Sequence, residues 1–141
     1  MKRCVRVYAA CAALLMAATA MAQSDDRTRV FNAPMDRVWA VAKSNLKSLG
    51  WDVDKEDREV GWMVTDSRRL EGDDFGVYAK GTKHRLRLIF KSLDSGKKTS
   101  VTVERKVWKN ERILWMDKDE PIQTTDQTVQ KSLLAAIRKS L

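Results

Sequence analysis

Between residues 28 and 141 the hydrophobic positions follow two periods, and the changes of period mark the elements. Val38, Trp39, Ala42, Leu46 and Leu49 recur at steps of three and four, which predicts a helix with one apolar stripe. Pro34 suits its first position, Asp36 its first turn, and Gly50 its C-terminal stop. Lys43, Ser44, Lys47 and Ser48 fall on the opposite side. Ahead of this helix, Thr28 to Asn32 form a short strand with Val30 as the one strong inward position. Behind it, residues 51–55 alternate with period two, Asp57 to Gly61 form a turn, and Trp62 to Ser67 return as the second arm of a hairpin.

The same alternation recurs further on. Leu86, Leu88 and Phe90 alternate with Arg85, Arg87 and Ile89, so the two arginines stand on the face opposite the leucines. Asp94-Ser95-Gly96-Lys97 is a tight turn, and beyond it Val101, Val103 and Val107 alternate with Thr102, Glu104 and Lys106. At the end of the chain Thr124 and Gln127 stand at capping-box spacing ahead of a helix on which Val129, Leu133, Ile137 and Leu141 are four apart. The expected order is β-α-β-β-β-β-α, an α+β domain. Charge on one face of the alternating strands predicts an antiparallel sheet with one wet side and with both helices on the other.

Residues 1–22 change the picture of the charge. Lys2, Arg3 and Arg6 precede an apolar stretch from about Val7 to Ala18, and Ala20-Met21-Ala22 then offers a small-x-small cleavage triplet. That is the pattern of a secretory signal, cleaved before Gln23, with residues 23–141 as a single domain. Both cysteines, Cys4 and Cys11, lie inside the signal, so no disulfide, thiolate nucleophile or cysteine metal site is expected in the mature chain. Cys11 follows too little apolar chain to be a lipidation site.

The whole sequence carries 27 basic and 19 acidic residues, a net +8 and a pI near 9.7. Without the three signal cations it holds 24 against 19, a net of +5. An exported protein does not meet cytoplasmic nucleic acid, and a nucleic-acid platform would interleave aromatics with its cations, where the available aromatic is Trp108. The basic surplus therefore points to an anionic lipid, lipopolysaccharide or an acidic protein of the cell envelope.

Val30-Phe31-Asn32-Ala33-Pro34-Met35-Asp36-Arg37-Val38-Trp39 resembles the strand-to-helix opening of START-like helix-grip domains. Val38-Trp39, Leu46, Leu49-Gly50-Trp51, Asp57-Arg58, Gly61 and Val64-Thr65-Asp66 together are more similar to the repeated domain of the BamC family. Proteins of that family are lipoprotein accessories of outer-membrane β-barrel assembly. The resemblance extends over roughly residues 28–141, as spaced hydrophobics. It implies a helix-grip-like fold and a non-enzymatic, periplasmic domain that binds envelope proteins. The sequence departs from the family in having one such domain and no lipobox, so no outer-membrane lipid anchor is expected. The alternative that the resemblance implies is a START-like binder of a small apolar ligand or lipid between the sheet and the C-terminal helix. Trp39, Trp51, Trp62 and Leu133 would line that cavity.

No catalytic constellation, cofactor motif or metal-ligand spacing stands in the sequence. His84 is the only histidine and reads as a surface or strand-end residue. Glu71, Asp73 and Asp74 read as a solvated acidic loop rather than a Ca²⁺ site. The candidate partner-binding residues are Phe75 and Tyr78 in the long connection 70–82, Trp115 within Ile113-Leu114-Trp115-Met116, and Arg85 and Arg87 on the wet face. Arg68, Arg69, Lys83, Arg105, Lys106 and Lys109 are expected to share that face or its rim. Ile113 to Met116 is expected to be at least half buried, closing the gap between the last strand and the last helix.

Overall fold

The structure, a computed structural model, describes residues 25–70 and 81–141. The signal segment lies outside them, as do Glu71, Asp73, Asp74, Phe75 and Tyr78 of the 70–82 connection. The chain runs β1 (Thr28–Phe31), α1 (Met35–Ser48), β2 (Val53–Asp57), β3 (Trp62–Thr65), β4 (Arg68–Arg69), β5 (Thr82–Leu93), β6 (Lys98–Ile113), β7 (Met116–Ile122) and α2 (Thr128–Ser140). This is the expected α+β architecture, with two more strands among the described residues than the alternation predicts. All the strand pairings are antiparallel. The main path is β1-β6-β5-β3-β2, with β4 joined to β5 and β7 to β6.

The β5–β6 hairpin is the spine of the sheet. Its register runs through twelve facing pairs, from Thr82 opposite Lys109 to Leu93 opposite Lys98, around a short turn at Asp94–Gly96. Leu86, Leu88 and Phe90 of β5 and Val101 and Val103 of β6 point to one side and are buried. Both helices cover that side. Val38, Trp39, Ala42 and Leu46 of α1 and Leu133, Leu134 and Ile137 of α2 join the strand residues in one buried cluster. The Trp39 ring tilts against Phe90 with ring centres 4.7 Å apart. Each buried aliphatic or aromatic side chain contributes roughly 1.5–3 kcal/mol, so this single interface dominates the stability.

Three details differ from the periodicity. In β1 it is Phe31 that turns inward, while Val30 is about half exposed. Val30 faces Ser100 in the β1–β6 register, whereas Phe31 faces Thr99, which is buried on the helix side. At α2, Thr124 and Gln127 form no capping box, because the helix begins only at Thr128. The Thr124 hydroxyl instead accepts a bond from the Asp126 amide, and the Asp126 carboxylate accepts from both the amide and the hydroxyl of Thr128. At the other end of the predicted α1 stripe, Leu49 is the C-cap and lies exposed.

The β2–β3 turn is fastened from two sides. Arg58 bonds to Asp36 and to the Met35 sulfur in the first turn of α1, and its guanidinium sits 5.4 Å from the Trp39 ring centre. Gly61 brings the start of β3 onto β5, its carbonyl accepting the Phe90 amide at 2.8 Å. Gly61 has φ +88°, and a Cβ there would stand 2.6 Å from the Phe90 carbonyl oxygen. Gly61→Ala is therefore expected to cost about 1–3 kcal/mol in urea unfolding. Val60→Ala, one residue away and exposed, should stay within about 0.5 kcal/mol.

Candidate functional site

Three surroundings on this scaffold carry polar chemistry or exposed apolar surface. The first is the face of the sheet that the helices leave open. Arg85 and Arg87 alternate outward from Leu86 and Leu88, as the sequence predicts, and both are exposed. Across the ladder Arg85 faces Lys106 and Arg87 faces Glu104. Lys83 and Lys91 project from the same side of β5. Trp108, also at an outward position, is buried beneath neighbouring cations. The Arg85 guanidinium is 5.6 Å and the Lys106 ammonium 5.8 Å from its ring centre. Trp62 and Val64 of β3 and Pro121 and Ile122 at the end of β7 wall a concavity of about 500 Å³ around these cations.

The second surrounding lies under the other face, at the end of the core. His84 is not the surface histidine expected from sequence, being only 7% exposed. It occupies an inward position on β5, and its ring tilts against Trp51 with centres 4.8 Å apart. Its Nδ1 accepts a bond from Arg105 Nε at 3.0 Å, which places the proton of the neutral ring on Nε2. Burial, followed by the positive charges of Arg105 and Arg68, lowers the pKa of His84 from 6.5 to about 4. Arg105 is likewise not on the wet face. Its side chain is 2% exposed and reaches Asp126 at 3.6 Å, at the head of α2. The Thr128 hydroxyl and amide hold the Asp126 carboxyl below the usual carboxylate range, and Arg105 adds to this. Arg68 also leaves the basic face. It stacks 4.6 Å from the Trp51 ring centre and donates to the Leu49 carbonyl at 3.1 Å.

The third surrounding is the β6–β7 hairpin tip. The chain reverses at Leu114 and Trp115, with Leu114 at φ +58°. Leu114, Trp115 and Met116 are 75%, 85% and 68% exposed. The expectation of burial fails because residues 116–122 form a seventh strand instead of a loop returning to the core. The segment Met116-Asp117-Lys118-Asp119-Glu120-Pro121-Ile122 carries four charges and a proline, and only its pairing with β6 makes it a strand. That composition also protects an edge from further pairing.

The four residues expected around a ligand cavity are not brought together. Trp39, Trp51 and Leu133 are buried together on the helix side as members of the core cluster. Trp62 is half buried on the opposite face, beside Arg85 and Arg87. Of the candidate partner residues, Arg85 and Arg87 share the open face, and Trp115 stands at the far end of the β6–β7 hairpin. Among the described residues no cluster of His, Cys, Asp or Glu is arranged to hold a metal ion. Nor is any of their helices long and apolar enough to cross a membrane. No protein-family model matches the chain, and no curated protein matches it.

Sequence reasoning finds Trp108 as the aromatic of the basic face but misses the buried His84–Arg105–Asp126 chain. Trp108 follows from the alternation already used for Lys106. Arg105 breaks that alternation by standing at an inward position, and this was the available signal. The buried chain makes stability depend on pH. Above about pH 6.5 His84 is neutral whether folded or unfolded. As the pH falls from there toward 4 the unfolded chain takes up a proton that the folded ring refuses, so stability declines by about 3 kcal/mol at most. Urea midpoints between pH 7 and 4.5 should show this decline, and His84→Gln, which keeps an acceptor for Arg105, should flatten it.

Proposed function

We propose that the chain is a non-enzymatic protein-interaction domain of the cell envelope, exported by residues 1–22 and working through the β6–β7 tip. The observation that carries this reading is the exposed Leu114-Trp115-Met116 cluster, held by a long paired hairpin away from the helix-covered core. A tryptophan kept in water forgoes roughly 1.5–3 kcal/mol of burial, which a partner's pocket would supply. Tryptophan is also the residue type most often found at the energetic centre of a protein interface. The resemblance to the BamC family supports the same class of role, an accessory that acts by contact rather than by chemistry.

The stem of the tip narrows the kind of partner. Over its two arms Glu111, Asp117, Asp119 and Glu120 stand against Lys109, Arg112 and Lys118. Such a stem offers an anionic bilayer no basic surplus and leaves the apolar tip to select an apolar protein pocket.

The test is co-purification of the full tagged chain from gently solubilised envelopes, beside a Trp115→Ser variant. The substitution is at an exposed site and should change the urea midpoint by no more than about 0.5 kcal/mol. One partner at a fixed ratio, held by the original chain and lost by Trp115→Ser, is the expected result. Recovery of no partner, or undiminished recovery by the variant, would contradict the reading.

A further inference from the structure

The open face of the sheet carries a second inference, independent of the hairpin tip. Met116 at the tip and Ile122 at the groove are six residues apart on β7, roughly 20 Å along the strand. We propose that the groove between β3, β5, β6 and the end of β7 is a binding site for a single anionic amphiphile. Its phosphate or carboxylate head would lie against Arg85, Arg87 and Lys106, and its apolar body against Trp62, Val64 and Ile122.

Charge supplies the first argument. Four cationic residues, Arg85, Arg87, Arg105 and Lys106, and one carboxylate, Glu104, line the concavity, with the Arg105 side chain turned away to Asp126. The Arg87 side chain, which stands opposite Glu104 in the ladder, makes no hydrogen bond or ion pair with the described residues. Arg85 and Lys106 rest on the face of Trp108 rather than on an acid. Cations held on an aromatic face keep their charge uncompensated and their position restricted, which lowers the entropic cost of meeting an anion. Two arginines on the same face of one strand also offer two planar forks to the oxygens of one head group.

Shape and backbone chemistry supply the second. At about 500 Å³ the concavity falls within the roughly 300–1,000 Å³ of small-ligand sites. Its wall is apolar along Trp62, Val64 and Ile122, so the ligand needs an apolar part as well as a charge. An acidic peptide added as a strand does not fit. At the floor, β5 is hydrogen-bonded to β3 and β6, and the outer edge of β6 is covered by β1 up to Val103 and by β7 from Val107, so the open stretch at Glu104–Lys106 is too short to take an added strand. The groove is also concave, and a flat bilayer surface would meet its rim before its floor. The occupant is therefore a monomeric amphiphile and not a membrane.

Titration calorimetry of the full chain with decyl phosphate, below its micelle concentration, tests the assignment. Saturable binding at one site is expected. Arg87→Gln with Lys106→Gln, both at exposed positions, should weaken it at least tenfold. Decanol and inorganic phosphate should each bind at least tenfold more weakly than decyl phosphate. Trp115→Ser should leave the titration unchanged, so failure of the tip as a partner site would not affect the result. No binding, equal binding by the double variant, or equal binding of inorganic phosphate would overturn the proposal. So would binding seen only with phosphatidylglycerol vesicles, which would assign the face to a membrane surface.

Discussion

Everything else in the structure depends on the register of the β5–β6 hairpin. Its twelve facing pairs fix which side chains of the two longest strands meet the helices and which meet water. Because the side-chain period is two, a slip of one residue would drive Arg85 and Arg87 beneath α1 and α2 and expel Leu86 and Leu88. Uncompensated charges in that position would cost several kcal/mol each, far more than any single turn or cap contributes. The turn at Asp94–Gly96 and the close contact of Gly61 with Phe90 hold the strands in the register that avoids this. One constraint thus generates both the dry layer between sheet and helices and the basic face on the other side.

The rule is broken once, at the end of the core near α2. Arg105 stands at an inward position, and the chain there answers with a neutral histidine, a carboxylate held in its ionised form and two aromatic surfaces. His84 accepts from Arg105, Trp51 lies between His84 and Arg68, and Asp126 connects the guanidinium to the head of α2. Breaking such an arrangement by removing one member is more costly than its net contribution suggests, since a buried charge is left behind. The start of the last helix therefore depends on the sheet through a polar contact as well as through Leu133 and Ile137.

The parts of the fold that were legible in the sequence are those in which burial and periodicity agree. The α1 stripe, the outward arginines of β5, the tight turn at residues 94–97 and the placement of both helices on one face follow from spacing alone. The misreadings share a physical cause, which is that a tertiary partner outweighed a local pattern. Phe31 displaced Val30 because the β6 register, invisible in β1 itself, decides which way β1 faces. Residues 116–122 became a strand because β6 continues past Val107 and offers them a partner. Met116 and its neighbours then stayed in water because the hairpin carries them beyond the helices. His84 reads as a surface or strand-end residue because its company is basic, but the alternation that places Leu86 inward also places His84 inward, near the start of β5. Of the candidate sites, the open basic face was legible through Arg85 and Arg87. Its apolar wall was not, since Trp62, Val64 and Ile122 come together only through strand pairing.

The helix-covered core and the proposed groove both require that the β5–β6 ladder present its odd-numbered β5 residues to solvent. The chain from residue 23 onward contains no cysteine, so single cysteines report this directly. Arg85→Cys, Leu86→Cys, Arg87→Cys and Leu88→Cys would be labelled with a maleimide under native conditions. Fast labelling at 85 and 87 with protection at 86 and 88 is the predicted result. Equal rates at all four positions, or the reverse alternation, would contradict the register on which the account rests.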